Sequence, residues 1–206
     1  MPYAPRHYLD DPADAVVWRY MNLEKLLSIL LDRALFFSSL NTLAHNDKYE
    51  GQLTSCEVDS LKIPLDAYKS DAMWKIYATG IKGVAVRSTV SRLKQCFHNS
   101  PQDISLGTIS YSCVDPAVRP HVDPDHIVRR CMRKRPAFKH EQEVRLVFYD
   151  EHRKHTGHAG IQIPIDVTML IEKIVVSPRA ENWFLSIVKT LVATLGYEIK
   201  VFPSDG

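Results

Sequence analysis

The sequence predicts an α+β fold: a single domain over residues 15–206, with mixed or antiparallel sheets and flanking helices, preceded by an arm of residues 1–14. Three observations carry this expectation. Segments rich in β-branched and aromatic residues alternate with amphipathic ones along the chain, the opening runs strand, short helix, strand, and no internal repeat or low-complexity linker interrupts the 206 residues.

The arm is rich in Pro, Tyr and Asp and has no periodicity. Ala15 to Met21 has the composition of a strand, and Asn22 follows as a helix N-cap. Leu23, Leu26, Leu27 and Leu30 recur at i, i+3, i+4 and i+7, which predicts an amphipathic helix ending near Asp32 and Arg33. A strand over Ala34 to Ser39 comes next, then a polar, turn-rich loop from Leu40 to Glu57. Residues 66–79 read as partly helical, 83–87 as a strand and 88–97 as a helix. A strand over Ile104 to Ser112 leads to a turn region with Pro116, Pro120 and Pro124, followed by a helix to Arg133. The remainder alternates again: strands at Glu143 to Tyr149, Ile161 to Ile165 and Ile171 to Val176, a helix from Ala180 to Leu195 ending at Gly196, and a last strand from Tyr197 to Phe202.

Hydrophobic residues make up 45% of the chain and charged ones 24%, which excludes collagen, coiled coil and wholesale disorder. The formal charge is +2, so the total gives no reason to expect a general polyanion binder. The charge is unevenly spread, however. Arg129, Arg130, Arg133, Lys134, Arg135 and Lys139 fall within residues 129–140 with no acid among them, leaving the rest of the chain at −4. The cysteines, Cys56, Cys96, Cys113 and Cys131, stand apart without a Cys-x-x-Cys pair, and no apolar run approaches the ~20 residues of a membrane span. Both features predict a cytoplasmic protein with no membrane partner. Oligomeric state is not legible.

Three constellations could carry chemistry. In Glu141-Gln-Glu143 the carboxylates are two residues apart, about 7 Å at the backbone of a strand, and Arg145 lies on the same face with further cations upstream. The arrangement reads either as an active site or as a solvated strand face of alternating charge. Trp18-Arg-Tyr20 brings Arg19 and Tyr20 to a helix N-terminus, a place suited to an anion. Its plainer reading puts Trp18 and Tyr20 in the core and Arg19 on the surface. In the long loop, Asn46, Asp47 and Glu50 could accept from ribose hydroxyls or bind a metal, or could simply tie the loop down, and Ser38 and Ser39 leave the preceding strand as small donors.

His152, His155 and His158 recur at intervals of three, but Gly157 and Gly160 favour a hairpin loop, so no metal is expected. Signatures of the P-loop, the Rossmann glycine motif and the Gly-x-Ser-x-Gly elbow are missing from the sequence.

Taken together, Trp18 to Met21, Leu26 to Ser39, Asn46-Asp47 with Glu50-Gly51, and Glu141 to Val147 resemble the bacterial domain-of-unknown-function family 2971, from about Val16 to Val201. More distantly, the order Arg19, Leu26-Leu-Ser-Ile-Leu30, Phe36-Phe-Ser-Ser39, Glu141-Gln-Glu143 is similar to that of ADP-ribosyltransferases. That resemblance implies an ADP-ribosyltransferase-like fold with NAD as substrate, and transfer of ADP-ribose to a nucleic-acid or protein acceptor or NAD hydrolysis, in a bacterial toxin or defence setting. It implies Glu143 on the nicotinamide-ribose hydroxyl and the developing oxocarbenium, and Glu141 orienting or deprotonating the acceptor. Arg19, Tyr20, Ser38, Ser39, Asn46, Asp47 and Arg145 form the expected cofactor-binding set. The competing expectation is a non-catalytic nucleic-acid or partner-binding module that uses the basic segment 129–140, through Arg129, Arg130, Arg133, Lys134, Arg135 and Lys139, on phosphate.

Overall fold

The computed structural model describes residues 13–39, 58–64, 71–78, 82–112, 128–129, 131–149 and 159–204. The chain folds as mixed sheets with flanking helices and alternates between two compact units. Among the described residues, one unit is drawn from within Ala13–Ala34, Pro64–Asn99 and Pro164–Gly206, the other from within Leu35–Ile63 and Ser100–Ile163.

The first unit is built on a four-stranded sheet of β1 (Val16–Asn22), β4 (Gly83–Thr89), β10 (Lys173–Val176) and β11 (Lys200–Pro203), in that order. β1 and β4 pair antiparallel along their whole length, from Val16 opposite Thr89 to Asn22 opposite Gly83. β4 and β10 are also antiparallel, whereas β10 and β11 are parallel. A parallel pair needs a crossover, and α5 (Asn182–Thr194) supplies it, with Phe184, Val188 and Val192 buried at i, i+4 and i+8.

At the end of β1 the Asn22 side chain accepts from the Lys25 N–H at 3.2 Å and starts α1 (Leu23–Asp32), the N-cap expected from sequence. Leu26, Ile29 and Leu30 form its buried face, and Arg33 ends it with φ 49°. The Tyr197 hydroxyl donates to the Leu30 carbonyl at 2.8 Å, satisfying one of the acceptors a helix C-terminus leaves open. α2 (Asp71–Tyr77) lays Met73 and Trp74 against Trp18, Tyr20, Ala85 and Val175, with Tyr20 and Trp74 edge to face at 4.9 Å. α3 (Val90–Gln95), N-capped by Thr89, and α4 (Val167–Leu170), N-capped by Asp166, pack on each other; Arg92 Nη2 donates to the Thr168 carbonyl at 2.7 Å.

The second unit holds a five-stranded sheet, ordered β5 (Ile104–Thr108), β8 (Glu143–Tyr149), β3 (Val58–Pro64), β2 (Ala34–Ser39) and β9 (Gly160–Pro164). β8 lies between two neighbours, and Glu143 to Phe148 are all buried, so the strand is covered on both faces. It pairs antiparallel with β5, Ile104 opposite Phe148 and Thr108 opposite Val144. β6 (Ser110–Tyr111) and β7 (Arg133–Lys134) form a small parallel pair beside it.

The structure corrects the sequence reading in several places. The strand expected over Ile104 to Ser112 breaks at Ile109, whose N–H still bonds the Glu143 carbonyl at 2.9 Å before Ser110 and Tyr111 turn aside to pair with β7. The helix expected to reach Arg133 gives way by then to β7, and a 3-10 helix over Pro136–Glu141 follows where none was expected. β3 was missed because Val-Asp-Ser-Leu-Lys-Ile-Pro offers no clean alternation, and α4 because it is a single turn. Residues 1–12, the whole Leu40 to Glu57 loop including Cys56, the Pro116 to Pro124 turns, Cys113 and the three histidines lie outside the described residues.

Candidate active site

The most concentrated chemistry lies where β6, β7, the 3-10 helix and the start of β8 come together. Pro136 opens the 3-10 helix with its φ already suited to a helical start. Gln142 closes it in the left-handed region at φ 41°. That conformation costs a non-glycine residue about 1–2 kcal/mol and reverses the chain between Glu141 and Glu143. The two carboxylates are therefore brought together by a turn. Glu141 ends the 3-10 helix and Glu143 begins β8, so they do not share a strand face as the sequence spacing suggested.

Both carboxylates are buried, at 6% and 3% exposure, and both meet the ammonium of Lys134. Lys134 Nζ is 2.9 Å from Glu143 Oε2 and also pairs with Glu141 Oε2. Arg145, fully buried, clasps Glu143 from the other side: Nε donates to Oε1 at 2.7 Å and Nη2 to Oε2 at 3.2 Å, while Nη1 donates to the Cys131 carbonyl. The fork of the guanidinium matches the two carboxylate oxygens and fixes the rotamer of Glu143. The backbone N–H of Glu143 donates to the Tyr111 hydroxyl at 2.8 Å.

The electrostatics follow from burial. Desolvation disfavours the Lys134 cation, but the Glu143 charge and the hydrogen bonds to Glu141 and Glu143 outweigh it, so its pKa rises above the ordinary lysine value. Burial likewise pushes the Tyr111 hydroxyl up, partly offset by the N–H of Glu143. Such a cluster keeps a carboxylate ionised and oriented where water is scarce. The Glu-x-Glu-x-Arg pattern is thus buried and is not a solvated strand face.

The fold so described is similar to solved structures of Thermus sp. 2.9 DarT. With DarT in complex with ADP-ribosylated ssDNA the TM-score is 0.51 at 12% sequence identity, over 95% of this chain and 96% of that chain. With DarT in complex with NAD+ it is 0.50 at 12% identity, over 94% and 96%. The fold is ADP-ribosyltransferase-like. No family model and no curated protein matches the chain, so the resemblance to family 2971 finds no support there.

The other expected site residues fall in different settings. Arg19, in the first unit, is half-buried on β1, and its Nη1 is buried without a hydrogen-bond partner among the described residues. Burial lowers its pKa to about 10. Among the described residues the indole N–H groups of Trp18 and Trp74 and the Nε of Arg92 are also buried without a partner, and Arg92 differs in that its Nη2 donates to the Thr168 carbonyl. Tyr20 is a correction: its ring lies in the core against Trp74, as in the plainer reading of that motif. Arg145, expected on the cofactor, is buried within the protein and bonded to Glu143 and Cys131. Ser38 and Ser39 are half-buried at the end of β2, opposite Ser60 and Asp59. Asn46, Asp47, Glu50 and Arg130 lie outside the described residues.

The basic segment does not act as one surface. Arg129, Arg133, Arg135, Lys139 and His140 are exposed, whereas Lys134 faces inward. Lys134 was expected on phosphate and is instead committed to the two glutamates. Phe138, half-buried, sits 5.1 Å from both the Lys134 ammonium and the Arg135 guanidinium. Sequence reasoning missed Tyr111 and the Cys131 carbonyl, since neither stands in a motif. Among the described residues no group of three or more His, Cys, Asp or Glu comes together, and no helix is long and apolar enough to cross a membrane.

Proposed function

We propose that this chain is an NAD-using ADP-ribosyltransferase that moves ADP-ribose to a nucleic-acid or protein acceptor, or to water, in a bacterial toxin or defence system. The observation that carries the reading is the buried Glu143 carboxylate, gripped by Arg145 and Lys134 at the head of a central strand of an ADP-ribosyltransferase-like fold. The likeness to DarT solved with NAD+ and with ADP-ribosylated ssDNA supports the choice of substrate and of acceptor class.

In this reading the N-glycosidic bond of NAD breaks at C1′ and nicotinamide leaves with the bonding electrons. Positive charge spreads over C1′ and the ring oxygen. Glu143 accepts a hydrogen bond from the nicotinamide-ribose hydroxyl and stabilises that charge, which is the role of a preorganised anion. The acceptor, oriented by Glu141, then attacks C1′ and passes its proton to the Glu141 carboxylate. The resemblance assigns Arg19 to the dinucleotide phosphates, a role that its Nη1, without a hydrogen-bond partner among the described residues, supports, and assigns Ser38, Ser39, Asn46 and Asp47 to the rest of the cofactor. Tyr20 packs in the core of the first unit, and Arg145 serves as the clasp on Glu143.

The test is nicotinamide release from NAD by the wild type and by Glu143→Gln, with NAD binding measured by calorimetry. Glu143→Gln should lose at least ~100-fold in turnover, the scale of one lost electrostatic group. A wild type that neither binds NAD nor releases nicotinamide removes the reading.

A second reading has its own observation: Arg129, Arg133, Arg135 and Lys139 remain exposed together. They suit a phosphate backbone, either as the acceptor track of the transferase or as a non-catalytic nucleic-acid or partner-binding surface. Binding to single-stranded DNA in the absence of NAD turnover would favour the non-catalytic form.

A further inference from the structure

We propose that Lys134 is a positioning residue: it bridges the buried carboxylates of Glu141 and Glu143, holds the two in place, and is handed to Glu141 when Glu143 engages substrate. The functional half of this inference rests on the transferase reading; the electrostatic half does not.

The geometry argues it. Glu143 Oε2 accepts from two cationic groups, Arg145 Nη2 at 3.2 Å and Lys134 Nζ at 2.9 Å, whereas Oε1 accepts from Arg145 Nε at 2.7 Å. Arg145 is fixed, fully buried and tied also to the Cys131 carbonyl. Lys134 reaches Glu143 on a flexible stem, with Nζ also bonded to Glu141 Oε2. A lysine ammonium is a point charge on a rotatable stem, suited to changing partner, where a guanidinium fork is suited to staying. A cation pressed on Glu143 opposes the positive charge that ribose develops, so the enzyme gains if that cation has another anion to move to. Glu141 is that anion, and the αL turn at Gln142 is what sets it there. The charged and titratable groups facing Glu143 among the described residues come from every adjoining element: Tyr111 from β6, Lys134 from β7, Glu141 from the 3-10 helix and Arg145 from β8.

The experiment compares wild type with Lys134→Met, Glu141→Gln, the double variant Lys134→Met/Glu141→Gln, and Lys134→Arg, all in the full chain. Carboxyl carbon NMR on glutamate-labelled protein follows the ionisation of Glu141 and Glu143 with pH and needs no activity. Lys134→Met should shift one of the two midpoints upward, because two buried carboxylates have lost a shared cation; the double variant should return Glu143 to its wild-type titration. Nicotinamide release then reads the functional half. Turnover should fall about tenfold or more in Lys134→Met with KM for NAD little changed and recover in part in Lys134→Arg, while the double variant, which also loses the acceptor-orienting Glu141, should fall no further than Glu141→Gln alone.

Unchanged midpoints in Lys134→Met overturn the electrostatic half. A double variant no better than the two single losses combined overturns the hand-over, leaving Lys134 as a packing residue. Titration as expected in a protein that never cleaves NAD sinks the transferase reading while keeping the ion bridge. If Lys134→Met does not fold, the double variant and Lys134→Arg carry the same two comparisons.

Discussion

Arg145 and Glu143, two residues apart on one strand, form a bidentate ion pair that is sealed from solvent, with Nε to Oε1 at 2.7 Å and Nη2 to Oε2 at 3.2 Å. In a surface strand the same i, i+2 pair would be worth little. Here neither partner has water to fall back on. Arg145→Met should therefore cost about 3–5 kcal/mol, the range for breaking a buried pair from one side. Urea unfolding measures it, and a loss below ~1 kcal/mol would show that water reaches Glu143.

Lys134 gives the fold an alkaline limit. Its pKa is higher folded than unfolded, so the ion bridge contributes in full below the ordinary lysine value of 10.5 and is lost as pH rises through the folded value. Tyr111 acts in the same direction, since burial raises its hydroxyl above 10.0 and folding resists its ionisation. Stability measured by urea unfolding should fall above pH 10.5 more steeply in wild type than in Lys134→Met/Glu141→Gln.

Binding to a single strand would be read by its salt dependence. Each phosphate contact contributes about 0.7 to the slope of log affinity on log salt, so neutralising Arg129, Arg133, Arg135 and Lys139 should flatten it by up to about 3. Removing Lys134 should leave the slope nearly unchanged, because its charge is buried. A slope that responds to Lys134 as strongly as to its neighbours would contradict the inward placement.

Gly160 marks a close approach at the sheet edge. A Cβ there would collide with the Phe37 carbonyl oxygen and lie 2.6 Å from the tip of the Phe36 ring. The first obstacle is backbone, which cannot swing away. Gly160→Ala should lose about 1–3 kcal/mol in thermal or urea unfolding.

The Asn22 cap is a local contribution of ordinary size. Replacing it by Ala removes the acceptor for the Lys25 N–H and should cost ~1 kcal/mol, with NAD binding unaffected apart from that loss. Hydrogen exchange at the first turn of α1 would localise the effect.

Much of the fold is legible in local pattern. The i, i+3, i+4 spacing from Leu26 to Leu30, the cap at Asn22 and the β-branched run from Val144 to Phe148 each state their own element, because helix and strand periodicities are properties of adjacent residues. The Glu141-Gln-Glu143 candidate and its need for a neighbouring cation were legible for the same reason. Which cation was not. Lys134 looks like any other member of a basic run, and only the pairing of β7 with β6 turns it inward while Arg133 and Arg135 stay out.

Sequence alone determined the alternation of strands and helices, the capped start of α1 and the spacing of two glutamates and an arginine. Tertiary structure decided that β8 is covered on both faces, that Glu141 and Glu143 meet across a left-handed turn, that Tyr20 is core, and that one nitrogen of Arg19 is buried without a partner among the described residues. The physical reason is burial. A charge pattern has one meaning in water and another in a low-dielectric interior, and burial depends on which strands come to flank one another, through contacts that local periodicity does not encode.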